Sequence, residues 1–310
     1  MATTKRSAPP KSYELAFRMR MTLRPEELEG SISIVLRPIF IYSILPDMKY
    51  LTKKDRAILS QMVSTDFKVR YQGSALGYLW SLLRPLLIFA ILYVVFVYVF
   101  KLGRGVEHFP AYLLFGIVLW NFFVEATSVG MTTVVSKGDL IRKISIPRYL
   151  VVLSSSASAL INLFLNLIVV FVIAFINGVE PSISWLWLIP LLVELFIFSQ
   201  AVAFFLAALF VKFRDITYIW EVIIQAAFYI TPILYPLTMV PEKYRNLLLM
   251  NPMAQIIQDA RHVFVTPQTV IGWHTMRPLF AVLPILFVLG FGVVAALYFK
   301  KESKEFAENI

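Results

Sequence analysis

Residues 149–176 read YLVVLSSSASALINLFLNLIVVFVIAFI, without one charged side chain. A helix crosses a hydrocarbon core about 30 Å thick with roughly 20 mostly apolar residues. A run this long is a transmembrane helix with some length left for tilt. Its SSSASA block, 154–159, supplies small residues suited to close helix packing. Working outward, five more such runs appear, giving spans at about 84–101, 109–135, 149–176, 183–211, 216–237 and 278–299. The composition agrees: hydrophobic residues are 59% and charged residues 15% of 310, where soluble domains average roughly 45–50% and about 25%. Such a chain cannot cover itself with polar surface, which excludes a soluble globular enzyme and a disordered protein. The absence of cysteine removes disulfides, thiolate metal sites and cysteine nucleophiles.

The net charge of +10 acquires meaning from its location. With the N-terminus inside, 23 of the 29 Lys and Arg fall in cytoplasmic segments. The short loops agree: 136–148 carries Lys137, Arg142, Lys143 and Arg148, whereas 177–182 carries none. The expectation is an all-α, multi-pass protein of six transmembrane helices with both termini cytoplasmic. The basic excess is then a topology signal, and nucleic acid is not an expected partner. Residues 1–15 have no apolar core, so no signal peptide is expected there.

Outside the spans, residues 1–50 read as a cytoplasmic or interfacial extension, with 31–46 apolar but interrupted at Arg37-Pro38, and 51–310 as the transmembrane domain. Thr52 followed by Asp55 is a capping-box pattern. Beyond it Leu51, Ile58, Met62 and Val69 share one stripe, so 52–68 reads as a basic amphipathic helix on the inner membrane surface or against a partner helix. The segment 238–277 reads as two half-apolar helices broken at Asn251-Pro252, re-entrant-like elements or a small cap before the last span.

Reacting groups are missing. There is no Walker A glycine-lysine loop, no His-Glu-x-x-His and no Gly-x-Ser-x-Gly, and all six aspartates lie outside the spans. No catalytic residue, metal site or cofactor of the chain's own is expected. Three intramembrane acids stand out: Glu125, Glu194 and Glu221. Glu194 is the deepest, and is read as either a structural hydrogen-bonding group or a pathway-lining one. Phe89, Tyr93, Phe96 and Phe100 recur at i, i+4, i+7 and i+11, one continuous helical face. Such a face suits packing or lipid, and equally the C–H faces of sugar rings.

Four stretches then resemble, in order, the permease subunits of ABC type-2 polysaccharide exporters, which move O-antigen, teichoic acid or galactan. They are 69–86 (VRYQGSALGYLWSLLRPL), 139–149 (DLIRKISIPRY), 213–235 (FRDITYIWEVIIQAAFYITPILY) and 240–254 (VPEKYRNLLLMNPMA). The resemblance covers roughly 52–300 and leaves 1–50 without a counterpart. It implies a homodimer joined to two cytoplasmic ABC ATPase subunits, a 2:2 complex in the cytoplasmic membrane. ATP and Mg would bind the partner, and the cargo would be a lipid-linked glycan. It implies that Asp139, Leu140, Ile141, Arg142, Lys143 and Ile144 form the ATPase-coupling element. Arg70, Gly73, Leu76, Gly77, Trp80 and Arg84 would form the entrance for the lipid diphosphate. Spans one and five would line the pathway, through the Phe89–Phe100 face and Tyr229. Tyr244, Arg245, Asn251 and Pro252 would belong to an outer gate. The alternatives are an exporter of drugs or small hydrophobic molecules and, in another class, a membrane enzyme acting on lipid-linked sugars.

Overall fold

A computed structural model describes residues 52–71, 77, 79–99, 105–143, 146–276 and 278–306. The 1–50 extension, Leu51, Gly73, Leu76, Phe100, Ile144 and the side chain of Arg70 lie outside the described residues. The described residues are helical and contain no strand. In order they form α1 (Lys53–Tyr71), α2 (Leu79–Val94, continued by a π turn Val95–Val99), α3 (Phe109–Ser136), α4 (Gly138–Lys143) and α5 (Arg148–Ile176). A 3₁₀ turn (Ile183–Trp187) then leads into α6 (Leu188–Lys212) and α7 (Ile216–Ile230). The short α8 (Glu242–Leu249), α9 (Pro252–Phe264) and α10 (Gly272–Thr275) precede α11 (Pro278–Glu302). Five of these stretches are long and apolar enough to cross a membrane: Leu79–Val99, Phe109–Ser136, Arg148–Ile176, Ile183–Lys212 and Phe280–Glu302.

α3 is the central helix. It packs on α5 and α6, while α2 lies against α3 and α5, α7 against α3 and α6, and α11 against α6. The close approach expected of small residues is found where three helices meet. A Cβ on Gly130 would sit 2.8 Å from Ala203 Cβ and 3.6 Å from Ser155 Oγ. Ser154, Ser155, Ser156 and Ser158 are buried there. Their hydroxyls donate to carbonyls three or four residues back, so no polar group is stranded.

α1 begins as its capping box predicts: the Asp55 amide donates to Thr52 Oγ1 at 3.2 Å and the Thr52 amide to Asp55 Oδ2 at 3.1 Å. It packs on α5 and buries Leu59 and Met62. Val69, placed on the apolar stripe by periodicity, is exposed instead. The inward line continues from Met62 to Asp66, whose carboxylate meets Lys137.

Two spans differ from their expected form. The fifth was read as 216–237, but α7 ends at Ile230, with Thr231 in extended conformation before Pro232. Proline offers no amide and crowds the preceding turn, so the helix stops there. Fifteen residues rise only about 22 Å, short of the hydrocarbon core. The Phe89–Tyr93–Phe96 face is likewise not one straight stripe. The π turn at Val95–Val99 adds residues per turn. Phe89 meets Tyr93 at 5.6 Å between centroids, and Tyr93 also meets Tyr98, outside the i, i+4, i+7 spacing, at 6.4 Å.

Candidate functional site

The end of the bundle that carries the basic loops is held by side chains far apart in sequence. Lys137, the residue before α4, reaches Asp66 of α1 at 2.5 Å and Ser154 of α5 at 3.4 Å. α4 therefore starts from a point tied to two other helices. Gly138 and Ile141 are buried, while Asp139, Arg142 and Lys143 face out. The result is a short helix with a buried root and a charged outer face. At the same end Arg148 donates to the Ser303 carbonyl, and Lys212 pairs with Glu302, fixing the end of α11.

The two helices flanking α3 leave most of their surface uncovered. α7 buries none of its residues, and α2 buries only Pro85. Tyr229, Tyr218 and Val222 of α7 are exposed, as are Trp80, Ile91 and Tyr98 on the first span. Arg84 is exposed one turn after Trp80, and Gly77 adopts φ 48°, a left-handed conformation that favours glycine. Deeper in the bundle, polar groups join across helices. Glu125 of α3 accepts from Asn162 of α5 at 2.8 Å, and Asn166 one turn on donates to the Ser81 carbonyl of α2 at 3.2 Å. Glu221 is exposed on α7.

At the opposite end α9 is inserted among α3, α6 and α11. Of its 13 residues 11 are buried, including Gln255, Gln258, Asp259 and Arg261. Asn251 caps it, accepting from the Met253 amide at 3.0 Å, and Pro252 occupies the first turn, where no amide partner is needed. Arg261 is fully buried. Its guanidinium donates to the carbonyls of Tyr112 (2.9 Å), Pro232 (2.7 Å) and Ile233 (2.7 Å) and lies 3.7 Å from the Tyr112 ring centroid. The break after α7 leaves carbonyls without helical partners, and this one side chain satisfies two of them. Gly116 makes the room, since a Cβ there would overlap Arg261 Nη2. Of the expected gate residues, Arg245 braces the 238–240 turn through the Val240 and Thr238 carbonyls. Tyr244 is exposed, and Asn251 reaches Thr231 at 3.4 Å.

Beside α9 lies a cavity of about 450 Å³, walled by α6, α9 and α11. Glu194 lines it, as do Gln255 and Asp259. Gln255 donates to Asp259 Oδ2 at 2.7 Å. Burial pushes the Asp259 carboxyl up to about 6, against the hydrogen bond from Gln255 and the nearby His274, which lower it. An acid whose folded value is raised is unfavourable when ionised, so it subtracts stability in full above that value, and the penalty shrinks as pH falls from there to the ordinary aspartate value. Asp259→Asn should therefore raise the melting temperature at pH 7.5, through a gain on the order of 2 kcal/mol. The gain should vanish below about pH 4, near the ordinary aspartate value; paired melts across this range check it.

Comparison with known proteins places this arrangement. Residues 59–265 match the family model described as ABC-2 type transporter. The chain belongs to the ABC-2 type transporter family. It is 30% identical over 256 residues to the O-antigen export system permease protein RfbA of Klebsiella pneumoniae, covering 81% of this chain and 94% of that relative. The namesake from Myxococcus xanthus is 30% identical over 260 residues, 82% of this chain and 96% of the relative. The polysialic acid transport protein KpsM of Escherichia coli is 20% identical over 197 residues, 63% and 76% respectively.

The family match runs from within α1 to just past α9, so the tied end around α4 and the buried helix α9 both fall within it. The structure collects Asp139–Lys143 on one short helix, and places Trp80 and Arg84 on one exposed stretch. It does not bring the first and fifth spans together within one copy: α2 and α7 sit on different flanks of α3. Sequence reasoning missed Lys137–Asp66, the Arg261 clasp and the cavity. The one local signal was Arg261 itself, a cation in a half-apolar segment broken at Asn251-Pro252.

Proposed function

We propose that this chain is the membrane permease of an ATP-driven exporter that carries a lipid-linked polysaccharide across the cytoplasmic membrane. The observation that carries the reading is the match to O-antigen export permeases over nearly their whole length. The chain supplies a pathway, and the work comes from ATP and Mg on a cytoplasmic ABC ATPase partner. Both termini face the cytoplasm, in keeping with the basic excess on that side. Two copies pair through the uncovered faces of α2 and α7, an arrangement supported by the absence of any buried residue on α7. A channel between two copies would then be walled by both flanks.

The mechanism follows from stiffness. α4, with its outer charges Arg142 and Lys143, docks on the ATPase, and its root is fixed to α1 and α5 through Lys137. Displacement of α4 on ATP binding thus reaches α1 and α5 without being lost in a loose loop. Trp80 and Arg84 stand at the entrance, where a guanidinium suits a lipid diphosphate. Aromatic rings along α2 then give sugar rings an apolar, shallow track that holds no single residue of a polymer strongly. At the outer mouth Tyr244 and Arg245 border the exit.

Deleting the gene in a polysaccharide-exporting host should remove surface glycan and leave lipid-linked polymer inside the cell. Fractionation with glycan staining reads this directly, and normal surface glycan would refute the proposal. Tyr93→Ala with Tyr98→Ala should lower export about thirtyfold or more while leaving complex assembly intact, with stacking worth about 1 kcal/mol or more per ring. Unchanged export would assign the face to lipid packing.

A further inference from the structure

The cavity among α6, α9 and α11 has a one-sided chemistry. Its wall is apolar, with Leu191, Ile197, Ile285 and Leu289, and Trp187 and Trp273 also line it. Its polar groups are acceptors in excess. Glu194 Oε1, Gln255 Oε1 and Asp259 Oδ1 are buried and have no hydrogen-bond partner. Asp259 is 7% exposed and Gln255 3%. Two of the donors beside the cavity are engaged elsewhere: Gln255 Nε2 on Asp259 Oδ2, and His262 Nδ1 on the Thr269 carbonyl at 3.1 Å. Buried acceptors left unpaired cost about 1–3 kcal/mol each, so three at the head of one apolar cavity call for a donor-bearing occupant.

We propose that this cavity binds an amphiphile with a primary ammonium head, its three N–H groups directed to Glu194, Gln255 and Asp259 and its chain along the apolar wall. The match is one of number and charge. A primary ammonium offers three donors and no acceptor, and the two carboxyls supply the negative charge that a neutral alcohol would leave uncompensated. A quaternary ammonium brings the charge without the donors. The volume, about 450 Å³, accepts a head and part of a chain. This site is separate from the α2 and α7 faces of the export reading and does not depend on it. The ammonium can come from an ethanolamine lipid headgroup or from a free alkylamine.

Full-length chain in phosphatidylcholine nanodiscs, which contain no primary amine, provides the test. Trp187 and Trp273 line the cavity, so tryptophan fluorescence should change saturably with dodecylamine. Dodecyltrimethylammonium and dodecanol should bind at least about tenfold more weakly, the scale of a charge-assisted hydrogen bond. Glu194→Gln, which keeps the side-chain shape, and Asp259→Asn should each weaken dodecylamine by a similar factor. Leu191→Phe should block it by filling the wall, and Glu180→Gln, on an exposed connection, should leave it unchanged. Native mass spectrometry of chain given phosphatidylethanolamine separates the sources. Retained lipid that dodecylamine displaces assigns the headgroup, and no retained lipid assigns a free amine. Equal binding of the three probes, indifference to both carboxyl substitutions, or no saturable change would overturn the proposal.

Discussion

Arg261→Ala is expected to abolish the folded permease, the largest single effect on this chain. The substitution strands the buried Ile233 carbonyl, leaves the Pro232 carbonyl only the long bond from Gln258, takes a second donor from the Tyr112 carbonyl and removes a cation from the Tyr112 ring. With each of the three hydrogen bonds from the charged guanidinium worth about 1.5–3 kcal/mol, the total is on the order of 4 kcal/mol or more. That is comparable with the whole margin of many proteins. Arg261→Lys should lie between wild type and alanine, because an ammonium can reach some of the carbonyls but lacks the planar fork. Gly116→Ala should resemble Arg261→Ala, since its methyl group claims the space of Nη2. Fluorescence-detected size exclusion and thermal melts in detergent rank the three variants. A monodisperse Arg261→Ala protein of near-native melting temperature would show that water or a neighbouring donor replaces the clasp.

The second large effect concerns coupling. Arg142→Glu with Lys143→Glu should leave the bundle intact, because both side chains face out from α4 while Gly138 and Ile141 anchor it. In the docking role proposed for α4, reversing two charges turns attraction into repulsion, which costs several kcal/mol and corresponds to a 100-fold or greater loss. Export should fall to background, with ATP hydrolysis by the complex reduced or uncoupled, at unchanged permease abundance. Normal export in this double variant would remove α4 from the coupling role. A milder perturbation at the same place is Lys137→Ala, which leaves the docking charges untouched and releases the root of α4 from Asp66 and Ser154. It should lower export per ATP hydrolysed without abolishing docking.

The buried clasp also explains why α9 can be polar inside a membrane protein. A helix with Gln255, Gln258, Asp259 and Arg261 buried among apolar neighbours would be costly in lipid. Here most of those groups find partners: Arg261 on three carbonyls, Gln258 on Tyr112 and the Pro232 carbonyl, Asp259 on Gln255. Phe264 closes the helix by packing its ring among Phe115, Phe171 and Trp185, with centroids 4.8–5.0 Å away.

Much of this architecture is legible in one dimension, and the limit has a physical cause. Long apolar runs, the capping box at Thr52 and Asp55 and the break at Asn251-Pro252 are each written in neighbouring residues. Local rules of hydropathy, capping and proline geometry read them without knowing what packs nearby. By itself the sequence determined an all-α membrane protein, the helix starts and most of the spans, and four stretches sufficient to suggest the family. The early end of α7 was signalled locally by Pro232, though hydropathy ran past it, whereas the π turn that diverts the aromatic face, the Lys137–Asp66 tie and the Glu194–Gln255–Asp259 cavity came only with the tertiary structure. Asp66 and Lys137 are 71 residues apart, and Tyr112 and Arg261 are 149 apart. No periodicity links such residues. Only the packing of α1 on α5, and of α9 on α3, makes them neighbours and decides that one buried cation has partners while three buried acceptors have none.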